Sequence, residues 1–85
     1  MSWKWEYAFG AEEAARTAPG DFLAEVARRA EELVRAAEAF HVHGRAHDGL
    51  DPKGGDLIVP GGMFTYQVVV RSERVYVVQI TYLGF

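Results

Sequence analysis

The sequence predicts a small α+β domain in which one or two helices cover one face of a four-stranded, mostly antiparallel sheet. Three observations carry this prediction: an alternating aromatic segment near the start, a long amphipathic segment after it, and three short apolar segments separated by turn residues. Strands and helices that occur in separate blocks are typical of α+β domains. Because 85 residues offer room for one hydrophobic core, we expect a single domain over residues 1–85.

The first strand is predicted from a strict alternation that places its aromatic residues on one face: Trp3, Trp5, Tyr7 and Phe9. We expect this face to pack against the long helix. The alternative is a surface that stacks nucleic-acid bases, but such grooves carry interleaved Lys or Arg, and Lys4 points to the opposite face. Gly10 is expected to end the strand, and a short helical turn is expected over residues 11–16.

The long helix is predicted from apolar residues that recur with a period near 3.6, namely Phe22, Leu23, Val26, Ala27, Ala30, Leu33, Val34, Ala37 and Phe40. Pro19 suits its first turn and Asp21 is a suitable cap. The polar side is expected to carry ion pairs between residues four apart, at Glu25–Arg29 and Glu31–Arg35.

The second half of the chain predicts a long connection over residues 41–55 and then three strands, at 56–59, 63–70 and 74–83. A turn at 60–62 joins the first two strands, and a tight hairpin turn at 71–73 joins the last two. In the last strand, we expect one alternating set to face the core: Tyr76, Val78, Ile80 and Tyr82.

Composition excludes several functional classes. The chain has no cysteine, which excludes disulfides, thiolate metal sites and a cysteine nucleophile. A net charge of −3 without a basic stripe argues against binding driven by phosphate neutralisation. The sequence contains neither an apolar run long enough to span a membrane nor a secretory signal, so we expect a cytoplasmic protein with no membrane partner.

Three histidines, His41, His43 and His47, lie within seven residues, with Arg45 among them. Three interpretations are open. The segment is a polar loop in which His41 interacts with the helix C-terminus; or His43 and Arg45 supply an acid–base group and a phosphate clamp; or the three histidines bind zinc or nickel. The spacing is not a zinc signature, and we predict neither a cofactor nor a resident metal.

The last two strands carry motifs that resemble those of the RelE/ParE toxin superfamily. The segment Gly61-Gly62-Met63-Phe64-Thr65-Tyr66-Gln67-Val68-Val69 is similar to the family's Gly-Tyr-Arg-x-x-Tyr-x-Val strand. Residues 73–80 resemble the next strand, and Leu83-Gly84 its usual end. Together with the order of elements, the resemblance covers residues 3–84 and implies the RelE/ParE-like α+β fold.

The resemblance implies a toxin from a bacterial toxin–antitoxin pair, neutralised by a partner antitoxin. One branch of the superfamily cleaves mRNA in the ribosomal A site, and the other poisons DNA gyrase. Met63 stands where the ribonuclease branch has an arginine, and Lys53 alone represents the lysines that precede the second strand. The gyrase-poisoning branch acts by binding and needs no catalytic group.

Two functional predictions follow from these departures. If the chain is a ribosome-dependent endoribonuclease, we expect His43 and Arg45 to act with Arg71 or Arg74. The alternative is a non-catalytic protein-interaction module that keeps the toxin fold without toxicity. A homodimer is compatible with either function.

Overall fold

The computed structural model describes residues 2–42 and 54–84 and contains the predicted order of strand, two helices and three strands. The elements are β1 (Lys4–Tyr7), α1 (Phe9–Ala15), α2 (Gly20–Val42), β2 (Gly54–Val59), β3 (Gly62–Val69) and β4 (Arg74–Tyr82). The four strands form one sheet in the order β1-β4-β3-β2. Only β1 and β4 are parallel, so this part of the chain forms the predicted α+β fold with a mostly antiparallel sheet.

The aromatic start of the chain is shorter as a strand than predicted, because β1 ends at Tyr7 and Phe9 begins α1. The expectation that Phe9 belongs to the strand is therefore wrong. Trp3 is buried, while Trp5 and Tyr7 are half-buried beneath α2. The indole N–H of Trp5 donates to Glu31 on α2 at 3.2 Å. The aromatic face packs against the helix, as predicted, and is not a base-stacking surface.

Helix α2 is longer at both ends than predicted and buries the face given by its 3.6-residue period: Phe22, Val26, Ala30, Val34 and Ala37. Its polar side carries several ion pairs. Glu31 and Arg35 pair as predicted, at 3.9 Å. Glu25 pairs with Arg28 at 2.8 Å instead of the predicted Arg29, which pairs with Glu32 at 3.1 Å. Residues three and four apart are both neighbours on a helix, so spacing alone does not select the partner.

The predicted core face of β4 is wrong over the first half of the strand. Val75 and Val77 are fully buried, whereas Tyr76 and Val78 are only half-buried. A β-bulge explains the difference: Thr65 pairs with Gln79 and Tyr66 pairs with Val77, which leaves Val78 without a partner. Because an extra residue reverses the alternation of faces, Ile80 returns to the core beyond the bulge, as predicted.

Two turns join the last three strands. Between β2 and β3, Gly61 has a φ of 98°, which favours glycine, and its carbonyl accepts hydrogen bonds from the N–H groups of Leu83 and Gly84. Between β3 and β4, the predicted tight turn is a 3₁₀ turn at Val70–Ser72 followed by Glu73 in the left-handed region, at a φ of 54°. The chain therefore reverses where the sequence predicts, through a different turn.

Both helices pack on the same face of the sheet, which we call the covered face. Its side chains form two adjoining clusters with the helices. The larger cluster contains Phe22, Val26, Phe64, Val77 and Ile80, and the smaller contains Trp3, Val34, Ala37 and Val75. Among the described residues, neither helix has the length and apolar character needed to cross a membrane.

Candidate functional site

The candidate site is the face of the sheet opposite the helices, which we call the open face. Strand alternation and register place its side chains, and both helices of the described residues pack on the other side. Its members come from all four strands: Lys4, Glu6, Asp56, Ile58, Met63, Thr65, Gln67, Val69, Arg74, Tyr76, Gln79 and Thr81. The side chains of the open face therefore do not contribute to the hydrophobic core.

One end of the open face is charged. Lys4 and Arg74 are register partners on β1 and β4, and the Arg74 Nε contacts Glu6 Oε2 at 3.1 Å. Arg74 Nη1 also donates to the carbonyl oxygens of Ser72 and Glu73, at 3.1 and 3.2 Å. These contacts fix the guanidinium at the junction between the two strands. A phosphate group would have to compete with Glu6 for Arg74.

The middle of the open face is polar and uncharged apart from Asp56. Tyr76 lies between Glu6 and Gln67 in the strand register. The Thr65 hydroxyl donates to Asp56 Oδ1 at 2.7 Å, so this carboxylate is engaged within the sheet. Amide and hydroxyl groups at such positions both donate and accept hydrogen bonds, which suits a neutral polar partner.

The other end of the open face is apolar. Met63 is the register partner of both Thr81 and Ile58, and Ile58 is 73% exposed. Met63 and Arg74 lie at opposite ends of the face, because six residues of β3 separate Met63 from the partner of Arg74, a distance of about 20 Å. The position at which the family resemblance predicts an arginine is therefore surrounded by neutral side chains.

The structure brings two of the four predicted catalytic residues to the charged end. Arg71 is exposed in the 3₁₀ turn, and Arg74 follows three residues later at the start of β4. His43 and Arg45 lie outside the described residues, as does His47, and His41 falls in the last turn of α2. No group of three or more His, Cys, Asp or Glu side chains within residues 2–42 and 54–84 has a metal-binding arrangement.

The role of Glu6 is not evident from the sequence. Its position opposite the aromatic face is evident from the alternation in β1, but its pairing with Arg74 joins residues 68 apart in the chain. The pairing depends on β1 running parallel to β4. Nothing in the local pattern of either strand indicates this neighbour.

Two shallow cavities lie beside Tyr82, at the edge of the covered face. The first, about 220 Å³, is lined by Asp21 and Glu25, and the second, about 240 Å³, lies between α1 and Ile80. Both carboxylates of the first cavity already have partners in α2. Asp21 accepts a hydrogen bond from the Phe22 N–H at 2.9 Å, and the hydrogen bond from Arg28 to Glu25 raises the pKa of Arg28. The described lining of the second cavity contains no carboxylate, histidine, lysine or arginine.

A second titratable group whose pKa the fold shifts is Tyr7, on the covered face. Burial raises the pKa of the Tyr7 phenol above its usual value of 10.0, because the ionised form is poorly solvated there. Its ring packs edge-on against Trp5 at a centroid distance of 5.1 Å. Tyr7 stays protonated near neutral pH and contributes to the core.

Comparison with known proteins shows the fold. The chain matches no model of a protein family and no curated protein sequence. It does match two solved structures of the Escherichia coli toxin RelE. An arginine-to-alanine mutant of RelE in complex with an antitoxin RelBc peptide superposes with a TM-score of 0.62 at 15% identity, covering 100% of this chain and 87% of RelE. The isolated RelE toxin superposes with a TM-score of 0.61 at 15% identity, covering 99% and 87%. The chain has a RelE-like fold.

Proposed function

We propose that this chain is the toxin-like member of a bacterial toxin–antitoxin pair and that a partner antitoxin neutralises it in the cytoplasm. The observation that supports this proposal is the superposition on RelE along the whole chain, at a TM-score of 0.62. One of the two RelE structures contains an antitoxin peptide, so a protein of this fold binds such a partner. The motifs in β3 and β4 point to the same family.

We propose further that the toxin acts by binding a protein target such as DNA gyrase and does not cleave mRNA. The distribution of charge on the open face favours binding of a protein over cleavage of RNA. Cleavage of a phosphodiester requires a proton acceptor and cations to stabilise the negative charge that develops. On the open face, Met63 has neutral neighbours, and Arg74 is paired with Glu6. The uncharged end of the open face, with its exposed apolar side chains, suits association with a protein surface.

Inducible expression in a bacterial host tests both parts of the proposal. Incorporation of labelled thymidine should fall before that of labelled methionine, and co-expression of the neutralising partner should restore growth. Met63→Glu should abolish the growth defect, because it places a charge in the apolar end of the binding face. The matched control is Ala24→Glu, which adds the same charge at an exposed position of α2, away from the open face, and should leave the defect in place.

An early fall in methionine incorporation would instead indicate a ribosome-dependent endoribonuclease. In that case we assign catalysis to His43 and Arg45 acting with Arg71 or Arg74. Cleavage that persists in the His43→Ala and Arg45→Ala variants would remove this assignment.

Normal growth with soluble protein would favour the second function, a non-catalytic interaction module that keeps the fold without toxicity. The neutral surroundings of Met63 favour this module as much as they favour a binding toxin. Because the interaction module and the binding toxin both act through protein binding, only the growth measurement distinguishes them.

A further inference from the structure

The two edge strands of the sheet differ in how they are protected against further pairing. Strand β1 has four residues and carries Lys4 and Glu6 on its open face. Strand β2 has six residues, contains neither proline nor lysine, and pairs with β3 without a bulge. Short length, charges, proline and bulges are the usual devices that prevent an edge strand from pairing with another chain. Edge strand β2 lacks these devices except for a single charge.

That charge, on Asp56, is engaged within the molecule. Its carboxylate accepts a hydrogen bond from Thr65 on the neighbouring strand. Beside it, Ile58 is the most exposed large hydrophobic residue of the described chain, at 73%. On the covered face, Leu57 is half-buried at the margin of the larger core cluster. Within the described residues, the outer edge of β2 pairs with no other strand, and apolar side chains lie on both of its faces.

We propose that the outer edge of β2 is a dimerisation surface, on which β2 of a second copy of this chain pairs in antiparallel orientation. The two-fold axis is perpendicular to the sheet and passes beside Leu57. The result is an eight-stranded sheet with the helices of both copies on the same side. This inference concerns assembly and does not depend on the proposed function.

The register of the two paired β2 strands follows from the side chains that each possible two-fold axis places opposite each other. Antiparallel partners must lie on the same face, so a two-fold axis beside Asp56, Leu57 or Ile58 is allowed. An axis beside Asp56 places two carboxylates opposite each other, which is unfavourable. An axis beside Ile58 shortens the paired region and brings Pro60, which has no N–H, opposite Asp56. An axis beside Leu57 pairs all of residues 55–59.

The Leu57 register pairs residues 55–59 of both copies and brings no two like charges opposite each other. It sets Leu57 against its own copy and extends the apolar layer beneath the helices. On the open face it sets Ile58 opposite Asp56 of the other copy, twice by symmetry. The strand itself thus supplies the apolar side chains that a partner strand needs at this edge.

Charge substitutions at Ile58 test the proposal by sedimentation velocity over a wide range of concentration. The unchanged chain should show a monomer–dimer equilibrium. Ile58→Glu should weaken the dimer roughly tenfold or more, because each new carboxylate lies opposite Asp56 of the other copy. Ile58→Lys should keep or strengthen it, since it creates two opposite-charge pairs. Gln79→Lys, on the exposed part of a central strand, is the control and should dimerise as the unchanged chain does.

Disulfide formation tests the register, because a chain without cysteine can form a disulfide only between copies once a single cysteine is introduced. Leu57→Cys should oxidise rapidly to a covalent dimer, because paired residues of antiparallel strands have Cα atoms about 4.5–5.5 Å apart, within disulfide range. Asp56→Cys should oxidise more slowly.

Several results would overturn the proposal. A chain that stays monomeric at every concentration would show that the edge of β2 does not pair with a second copy, and that it binds either a different polypeptide or nothing. A dimer that responds equally to Ile58→Glu and Ile58→Lys would be assembled elsewhere. Faster oxidation of Asp56→Cys than of Leu57→Cys would exclude the register.

Discussion

The two faces of the sheet are built from the same strands and obey different constraints. On the covered face, Phe64, Val75 and Val77 are at most 1% exposed and pack against the helices. On the open face, the residues next to them in the chain, Met63, Thr65 and Tyr76, remain half-buried. Their neighbours are the register partners on adjacent strands, and neither helix covers them. Alternation along a strand is enough to separate these roles, since successive side chains point to opposite faces.

This difference explains how a fold can persist while the chemistry of its surface changes. A substitution on the covered face changes buried volume, which close-packed interiors do not tolerate without loss of stability. A substitution on the open face changes charge or hydrogen bonding with little effect on the core. A RelE-like fold at 15% sequence identity fits this separation.

The largest expected difference between the two faces, measured as the loss of unfolding free energy on substitution, is at two adjacent residues of β3. Phe64→Ala should reduce the free energy of unfolding by about 3–5 kcal/mol, because it leaves a cavity among the residues of the larger cluster. Met63→Ala should reduce it by under ~1 kcal/mol, since its side chain lies on the open face. Urea unfolding followed by circular dichroism measures both. Equal losses would contradict the assignment of the faces.

The tightest point of the covered face is Gly62. A Cβ atom there would collide with the carbonyl oxygen of Thr81 and lie 3.0 Å from a ring carbon of Phe22. Gly62→Ala should therefore cost about 1–3 kcal/mol by overpacking. The control is Gly10→Ala in α1, where a Cβ atom would meet nothing within 4 Å outside the local helix backbone, and the better helix former should gain about 0.5 kcal/mol. Thermal unfolding of both variants provides the measurement, and a stabilised Gly62→Ala would refute the close contact.

The bulge in β4 is tested by moving one hydroxyl by one residue. Val77→Thr places a hydroxyl in a fully buried site and should cost about 1–3 kcal/mol unless it finds a hydrogen-bond partner. Val78→Thr should be close to neutral, because Val78 is half-buried and lies at the bulge. Denaturant midpoints of the two variants decide the matter. A larger loss for Val78→Thr would restore the uninterrupted alternation that the sequence suggests.

The order of elements and the buried face of α2 could be predicted because each depends on local periodicity. From Phe22 to Ala37 the apolar spacing identifies the helix face that packs on the sheet, with Leu23, Ala27 and Leu33 half-buried at its margins. The bulge could not be predicted from the same pattern. Val77 and Val78 are identical neighbours, so the apolar set of β4 can be assigned to either face.

The candidate site was less predictable than the fold. Arg74 is predicted from the sequence to lie at a hairpin turn, and its position as the first residue of β4 agrees with that expectation. Its partner Glu6 could not be identified, because their contact depends on the parallel pairing of the first and last strands. Contacts between distant segments are fixed by topology, and no local pattern in either strand encodes them.

The smallest expected effect concerns this ion pair, which is the main polar contact between the two strands on the open face. The side chains of Arg74 and Glu6 are 30% and 54% exposed, so solvent weakens their attraction. A double-mutant cycle with Arg74→Ala and Glu6→Ala should give a coupling of about 0.2–1 kcal/mol that decreases with added salt. Arg74→Ala alone should cost somewhat more, since Arg74 also binds the carbonyls of Ser72 and Glu73. A salt-independent coupling comparable to the loss in Phe64→Ala would mean that the open face, like the covered face, determines the stability of the fold.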